Sequence, residues 1–152
     1  MRIRAIMNTM TVRMVLAVKF GILLLMLIWG LGFPDRDITL LGIGAHRNFF
    51  FHSAIPAALV FWGYAVFRRK VTHRAVKRMA GILIPPGLAG FASGTGVALL
   101  FDGIFQGRKA VLFPWIGSLV DTTSLDDRFW LLLNGILCIK IAQITIRRGF
   151  SD

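Results

Sequence analysis

A chain of 152 residues that is 56% apolar, with a mean hydropathy of +0.70, carries more hydrocarbon than one soluble domain of that size can bury. Its net charge of +11 would suit a nucleic-acid binder, but its aromatic residues sit in apolar runs instead of alternating with Arg and Lys as base-stacking platforms do, so no nucleic-acid partner is expected. The single cysteine, Cys138, excludes an intramolecular disulfide and a cysteine-based zinc cluster.

In chain order, a basic N-terminus leads into an apolar stretch at about 12–33. This stretch is too long for a signal-peptide core, Lys19 interrupts it, and Gly32-Phe33-Pro34 is a poor cleavage site, so an uncleaved signal-anchor helix is expected. A polar loop at 34–48 precedes a second apolar stretch at about 49–67, and a basic loop at 68–79 precedes a third at about 80–101. The third contains Gly87, Gly90, Gly94 and Gly96, with Gly90 and Gly94 at the spacing that lets membrane helices approach closely. Pro85-Pro86 near its start is expected to kink that helix or delay its beginning. A longer loop at 102–128 leads to the last apolar stretch, about 129–146, where Cys138 is expected to pack as an inert small residue.

A helix needs about 20 apolar residues to cross a hydrocarbon core of roughly 30 Å, so these four stretches predict four spans. The fold expected is all-α, a single membrane domain over 1–152 built as a four-helix bundle. Its direction follows from the cations. The N-terminus, the loop 68–79 and the C-terminus, with Lys19 and Lys140 within about two turns of the adjoining span ends, hold 13 of the 18 Lys and Arg residues. Cytoplasmic segments retain such residues, so both termini are expected in the cytoplasm, and the location expected is a bacterial inner membrane. Arg68-Arg69-Lys70 through Lys77-Arg78 would attract anionic lipid headgroups there, or act as a topology determinant alone.

The acids are distributed the other way. There is no Glu, and six of the seven Asp residues (Asp35, Asp37, Asp102, Asp121, Asp126 and Asp127) fall on the expected outer side. The stretch 34–53 adds Arg36, His46, Arg47 and His52 at the same depth, so imidazole and carboxylate groups suited to zinc, manganese or iron converge at one face. His46 and His52 are six residues apart, about 240° on a continuous helix at 100° per residue, so both can ligate only if His46 lies in the loop. Asn48 as the cap of the second span would place it there. Pro56 would then deny a partner to the His52 carbonyl and loosen the backbone beside a pocket. The same residues equally suit span ends and headgroup contacts with no chemistry.

Pro34-Asp35-Arg36-Asp37, His46-Arg47 through His52-Ser53, and Gly96 through Asp102 followed by Phe113-Pro114-Trp115 resemble the bacterial inner-membrane proteins described as membrane-bound metal-dependent hydrolases, some of them LexA-regulated. The resemblance covers roughly 31–135, and its middle motif is the most specific part. It implies cleavage of an ester or phosphoester, including those of lipids, at the periplasmic face. Asp35, Asp37, His46, His52 and Asp102 would hold a divalent metal such as zinc or manganese, and Arg47 and Arg36 would neutralise a phosphate. Two departures set this chain apart. Ala98 stands where the family has a His four residues before the Asp, and no His precedes His46. These losses leave open a second expectation, a non-catalytic accessory or scaffold subunit of a larger membrane complex, which Phe113, Trp115 and Ile116 in the outer loop would help to dock. A transporter fits less well, since no repeat and no central acidic residue is present.

Overall fold

A computed structural model describes residues 2–42, 48–106 and 127–150. Among the described residues there is no β-strand, and the chain forms helices α1 (Arg2–Leu31), α2 (Arg36–Leu41), α3 (Ile55–Lys70), α4 (Arg74–Phe101) and α5 (Asp127–Phe150). A π-helical turn, Asp102–Gln106, continues α4. Three of these helices are long and apolar enough to cross a membrane, over Met10–Leu31, Arg74–Phe105 and Arg128–Arg148. Helix α3, at 16 residues, is about 24 Å long at 1.5 Å per residue, short of a roughly 30 Å hydrocarbon core.

The elements start later or earlier than hydropathy predicts, for identifiable reasons. The apolar run 49–67 does not become helical at Phe49. Residues 49–54 form turns, and the helix begins at Ile55 with Pro56 in its first turn, where a missing N–H does no harm. Asn48 is therefore not the cap; Ala54, six residues later, is. Helix α4 begins at Arg74, only three residues after α3 ends, because the cationic residues of this loop are good helix formers and extend the helix beyond its apolar part. Pro85 and Pro86 lie inside α4 and do not delay its start. The Arg68, Arg69 and Lys70 side chains occupy the last turn of α3, where positive charge offsets the helix dipole.

Glycines determine how the helices meet. A Cβ on Gly90 would collide with the carbonyl oxygen of Leu23, and one on Gly94 with that of Leu27, while Gly30 of α1 faces the Phe91 carbonyl. The α1 and α4 backbones thus touch, and the Thr95 hydroxyl donates across the seam to the Gly30 carbonyl at 3.3 Å. Contacts advance together along both helices, Gly87 with Ile22 and Gly94 with Leu31, so α1 and α4 run parallel. On the other side of α4, Gly103 faces Leu131 and Gly96 faces Cys138, so α5 runs antiparallel to it. Helix α3 follows α5, with Ala54 at Asn134 and, near the opposite end, the Phe61 ring 5.6 Å from the Arg148 guanidinium. The core uses small side chains (Ala54, Ala57, Ala92, Cys138 and Ala142) with Phe91, Leu99 and Leu131, a pattern of close backbone approach. Large apolar groups face outward, among them Leu25 at 67%, Ile28 at 68% and Trp62 at 67% exposure, a surface matched to hydrocarbon and not to water. Lys19 of α1 is buried, 8% exposed.

Candidate functional site

One end of the bundle carries a buried polar cluster built from α2 and the turns that follow it. Pro34 lies just beyond the end of α1, and Gly42 ends α2 with a φ of 87°, a left-handed conformation natural to glycine, as its N–H bonds the Ile38 carbonyl at 3.1 Å. Within α2, Asp37 is fully buried. Its Oδ1 accepts the Ile38 N–H at 2.7 Å, and its Oδ2 accepts the Asn48 N–H at 2.8 Å. The same Oδ2 lies 3.4 Å from Nδ1 of His52, which is also buried. A buried carboxylate is tolerated only when its lone pairs are engaged, and the two backbone amides engage one on each oxygen.

The segment 48–54 is shaped by its own polar side chains. Asn48 Oδ1 accepts the Phe50 N–H at 2.9 Å, a local turn that diverts the backbone from helix. The Asn48 carbonyl accepts the His52 N–H at 3.0 Å. The Ser53 hydroxyl donates to the Phe50 carbonyl and accepts the Ile55 N–H, at 3.0 and 3.2 Å. Asn134 of α5 then anchors the start of α3, accepting the Ala54 N–H at 2.9 Å while donating to the Trp130 carbonyl. Among the described residues, Nδ2 of the fully buried Asn48 and Nε1 of Trp130 have no hydrogen-bond partner at this end. The aromatic rings of this segment pack on neighbouring rings: Phe51 contacts Phe33, which also contacts Phe91, and Phe49 stacks on Trp130 with centroids 4.7 Å apart.

Of the residues expected to form a site, Asp37 and His52 meet. Asp35 and Arg36 are exposed on the α2 side, and Asp102 is half-buried at the C-terminal end of α4, its N–H bonded to the Ala98 and Leu99 carbonyls. His46, Arg47, Phe113, Trp115 and Ile116 lie outside the described residues. Among the described residues no group of three or more His, Cys, Asp or Glu side chains is placed to hold a metal. Asp37 and His52 supply one oxygen and one nitrogen donor of suitable chemistry, where a structural or catalytic zinc takes three or more protein ligands. Asn48, Ser53 and Asn134 were not singled out as site residues by sequence, although a lone Asn within the last apolar run, like any strongly polar group at that depth, points to a buried partner.

Beside the cluster runs an apolar cleft of about 530 Å³ between α1, α3 and α4, lined at the polar end by Phe33, Phe50 and Pro56. In comparisons with known proteins, the chain matches no family model, no curated protein and no solved structure.

Proposed function

We propose that this chain is a four-span protein of a bacterial inner membrane, with both termini in the cytoplasm, that hydrolyses an ester or phosphoester of a lipid at the periplasmic face. The single observation carrying this reading is the contact between Asp37 and His52, two buried polar groups joined at one end of an otherwise apolar bundle. The motif resemblance around Pro34–Asp37 and His46–Ser53 supports it, as do the alternating directions of α1, α3, α4 and α5 and the 13 cations assigned to the other side.

Asp37 is fixed by two backbone amides and in turn orients the His52 imidazole, the arrangement by which a carboxylate sets the tautomer of a ligand or a base. Both side chains are buried, which shields the pair from water. Asp37 and His52 would contribute to holding a zinc or manganese ion, with Asp35, His46 and Asp102 as further donors, and Arg36 and Arg47 would face a substrate phosphate. When bound, that ion supplies a polarised substrate oxygen and an acidified water. Exposed Arg69, Lys70, Arg74, Lys77 and Arg78 at the opposite end would meet anionic lipid headgroups.

A second reading, a non-catalytic accessory or scaffold subunit with membrane-protein partners, is favoured by a different observation. The hydrogen bonds of Asp37, Asn48 and Asn134 staple α2, the 48–54 turns and α5, which is a sufficient structural role. Elemental analysis of protein purified from membranes separates the readings. The hydrolase reading expects stoichiometric zinc or manganese that is lost in His52→Ala and kept in His73→Ala, together with metal-dependent lipid ester cleavage. Metal-free, inactive protein that purifies within a larger complex would establish the accessory role.

A further inference from the structure

We infer that the cleft between α1, α3 and α4 holds one acyl chain of a bilayer lipid, admitted sideways from the membrane, with the lipid's ester or phosphate oxygens at the Asn48 end. The inference rests on the proposed lipid substrate and specifies how that substrate is bound.

The walls are three stripes at helical spacing. Helix α1 contributes Ile22, Met26 and Trp29, α3 contributes Pro56 and Val60, and α4 contributes Ile84 and the Gly87 turn. Gly87 leaves the floor open, since a Cβ there would meet Ile22 and Met26 only at ordinary contact, 3.5 and 3.7 Å. Leu59 and Val60 on one rim and Leu83 on another are exposed, so the cleft opens toward the medium around the helices, and two of the three wall helices are long and apolar enough for that medium to be hydrocarbon.

Size selects the occupant. From Ile22 to the end of α1 at Leu31 this wall runs about 14 Å at 1.5 Å per residue, so 530 Å³ gives a cross-section of roughly 40 Å². One extended hydrocarbon chain fits that section. A partner helix, about 10–12 Å across with its side chains, does not. Inside a bilayer, filling the cleft gains no hydrophobic energy, because lipid surrounds it already; the gain is packing contact with the walls, which depends on shape.

The polar end supplies what distinguishes a retained lipid from passing ones. Phe50 lines the cleft, and its N–H is held by Asn48, whose fully buried Nδ2 has no acceptor among the described residues. A buried donor left in that state is unfavourable, and an ester carbonyl or phosphate oxygen that reaches it past Phe50 would satisfy it. Asn48 also donates its backbone N–H to Asp37, so the residue that holds the Phe50 end of the cleft is bonded to the Asp37–His52 pair as well.

The test is photolabelling of the full-length protein in nanodiscs containing phosphatidylglycerol with a diazirine at the end of one acyl chain, the adducts located by peptide mass spectrometry. Adducts are expected several-fold more often on Met26, Leu83 and Ile84 than on the outward α1 face at Leu25 and Ile28. Val60→Trp, at an exposed rim position, should abolish that excess, and Leu25→Trp should leave it intact. Even labelling of cleft and outward faces would overturn the inference, as would an excess that survives Val60→Trp. Cross-links from the cleft to another protein would also overturn it, in favour of a partner helix. The outcome is independent of catalysis: an excess retained in His52→Ala, with no lipid cleavage by the native chain, upholds the acyl site and removes the hydrolase reading.

Discussion

Nδ1 of His52 lies 3.4 Å from Oδ2 of Asp37, and that same oxygen accepts the backbone N–H of Asn48 at 2.8 Å. One carboxylate oxygen therefore organises both the imidazole and the turn that carries it. Asp37→Asn keeps the size but places an NH₂ group or a weaker acceptor against these donors. It is expected to destabilise the protein by about 1–3 kcal/mol, the usual effect of unmatching buried hydrogen-bond partners. Asp35→Asn, exposed two residues earlier, should stay within about 0.5 kcal/mol of the native protein. Thermal unfolding in detergent reads both, and equal stability of the two variants would refute the organising role of Asp37.

Asn134 provides a second test at the same end. Asn134→Leu has similar bulk but removes the acceptor of the Ala54 N–H, leaving the N-cap residue of α3 without its anchor on α5. The expected loss is about 1–3 kcal/mol. Hydrogen exchange should show it locally, as faster exchange at Ala54 and in the first turn of α3, with α1 unaffected.

Backbone contact between α1 and α4 makes a sharp distinction among glycines. Gly94→Ala would drive its methyl into the Leu27 carbonyl and should lower stability by about 1–3 kcal/mol through overpacking. Gly21→Ala meets nothing within 4 Å, and it should be neutral or gain up to about 1 kcal/mol from helix propensity. A stable Gly94→Ala protein would mean that the two helices do not approach this closely.

Orientation is accessible through cysteine labelling. Native Cys138 is buried and should resist a membrane-impermeant maleimide in intact cells and in inverted vesicles alike. Against that silent background, Thr72→Cys, exposed between α3 and α4, should label in inverted vesicles alone. Labelling of Thr72→Cys in intact cells would reverse the proposed orientation.

Apolar continuity made α1, α4 and α5 readable from composition, and the Gly90–Gly94 spacing marked a close approach without indicating that α1 is the partner. The start of α3 was not readable in the same way. Phe49, Phe50 and Phe51 look like helix or span residues, yet Asn48 and Ser53 compete for the local amides and hold them in turns, and hydropathy does not register that competition. Helix ends were misplaced wherever charged residues such as Arg74 and Lys77 extend a helix past its apolar part. At the candidate site, the shared depth of Asp37 and His52 was legible, whereas their direct contact depends on an 11-residue return from Asp37 to Asn48 that no spacing rule specifies. Asn134 escaped notice because a single amide in an apolar run has no sequence partner to betray its acceptor role.

The parallel seam between α1 and α4 has a bearing on how the chain is made. These helices are separated by α2 and α3, so during synthesis α1 must wait in the bilayer, its Gly30 face uncovered, until about two thirds of the polypeptide has emerged. Only then does Phe91 arrive beside Trp29 and Phe33, and only with α5 does Asn134 reach Ala54. The polar pocket is accordingly among the last parts to mature, and a ribosome stalled before Asn134 leaves α1 and α4 already joined but Ala54 still without its anchor.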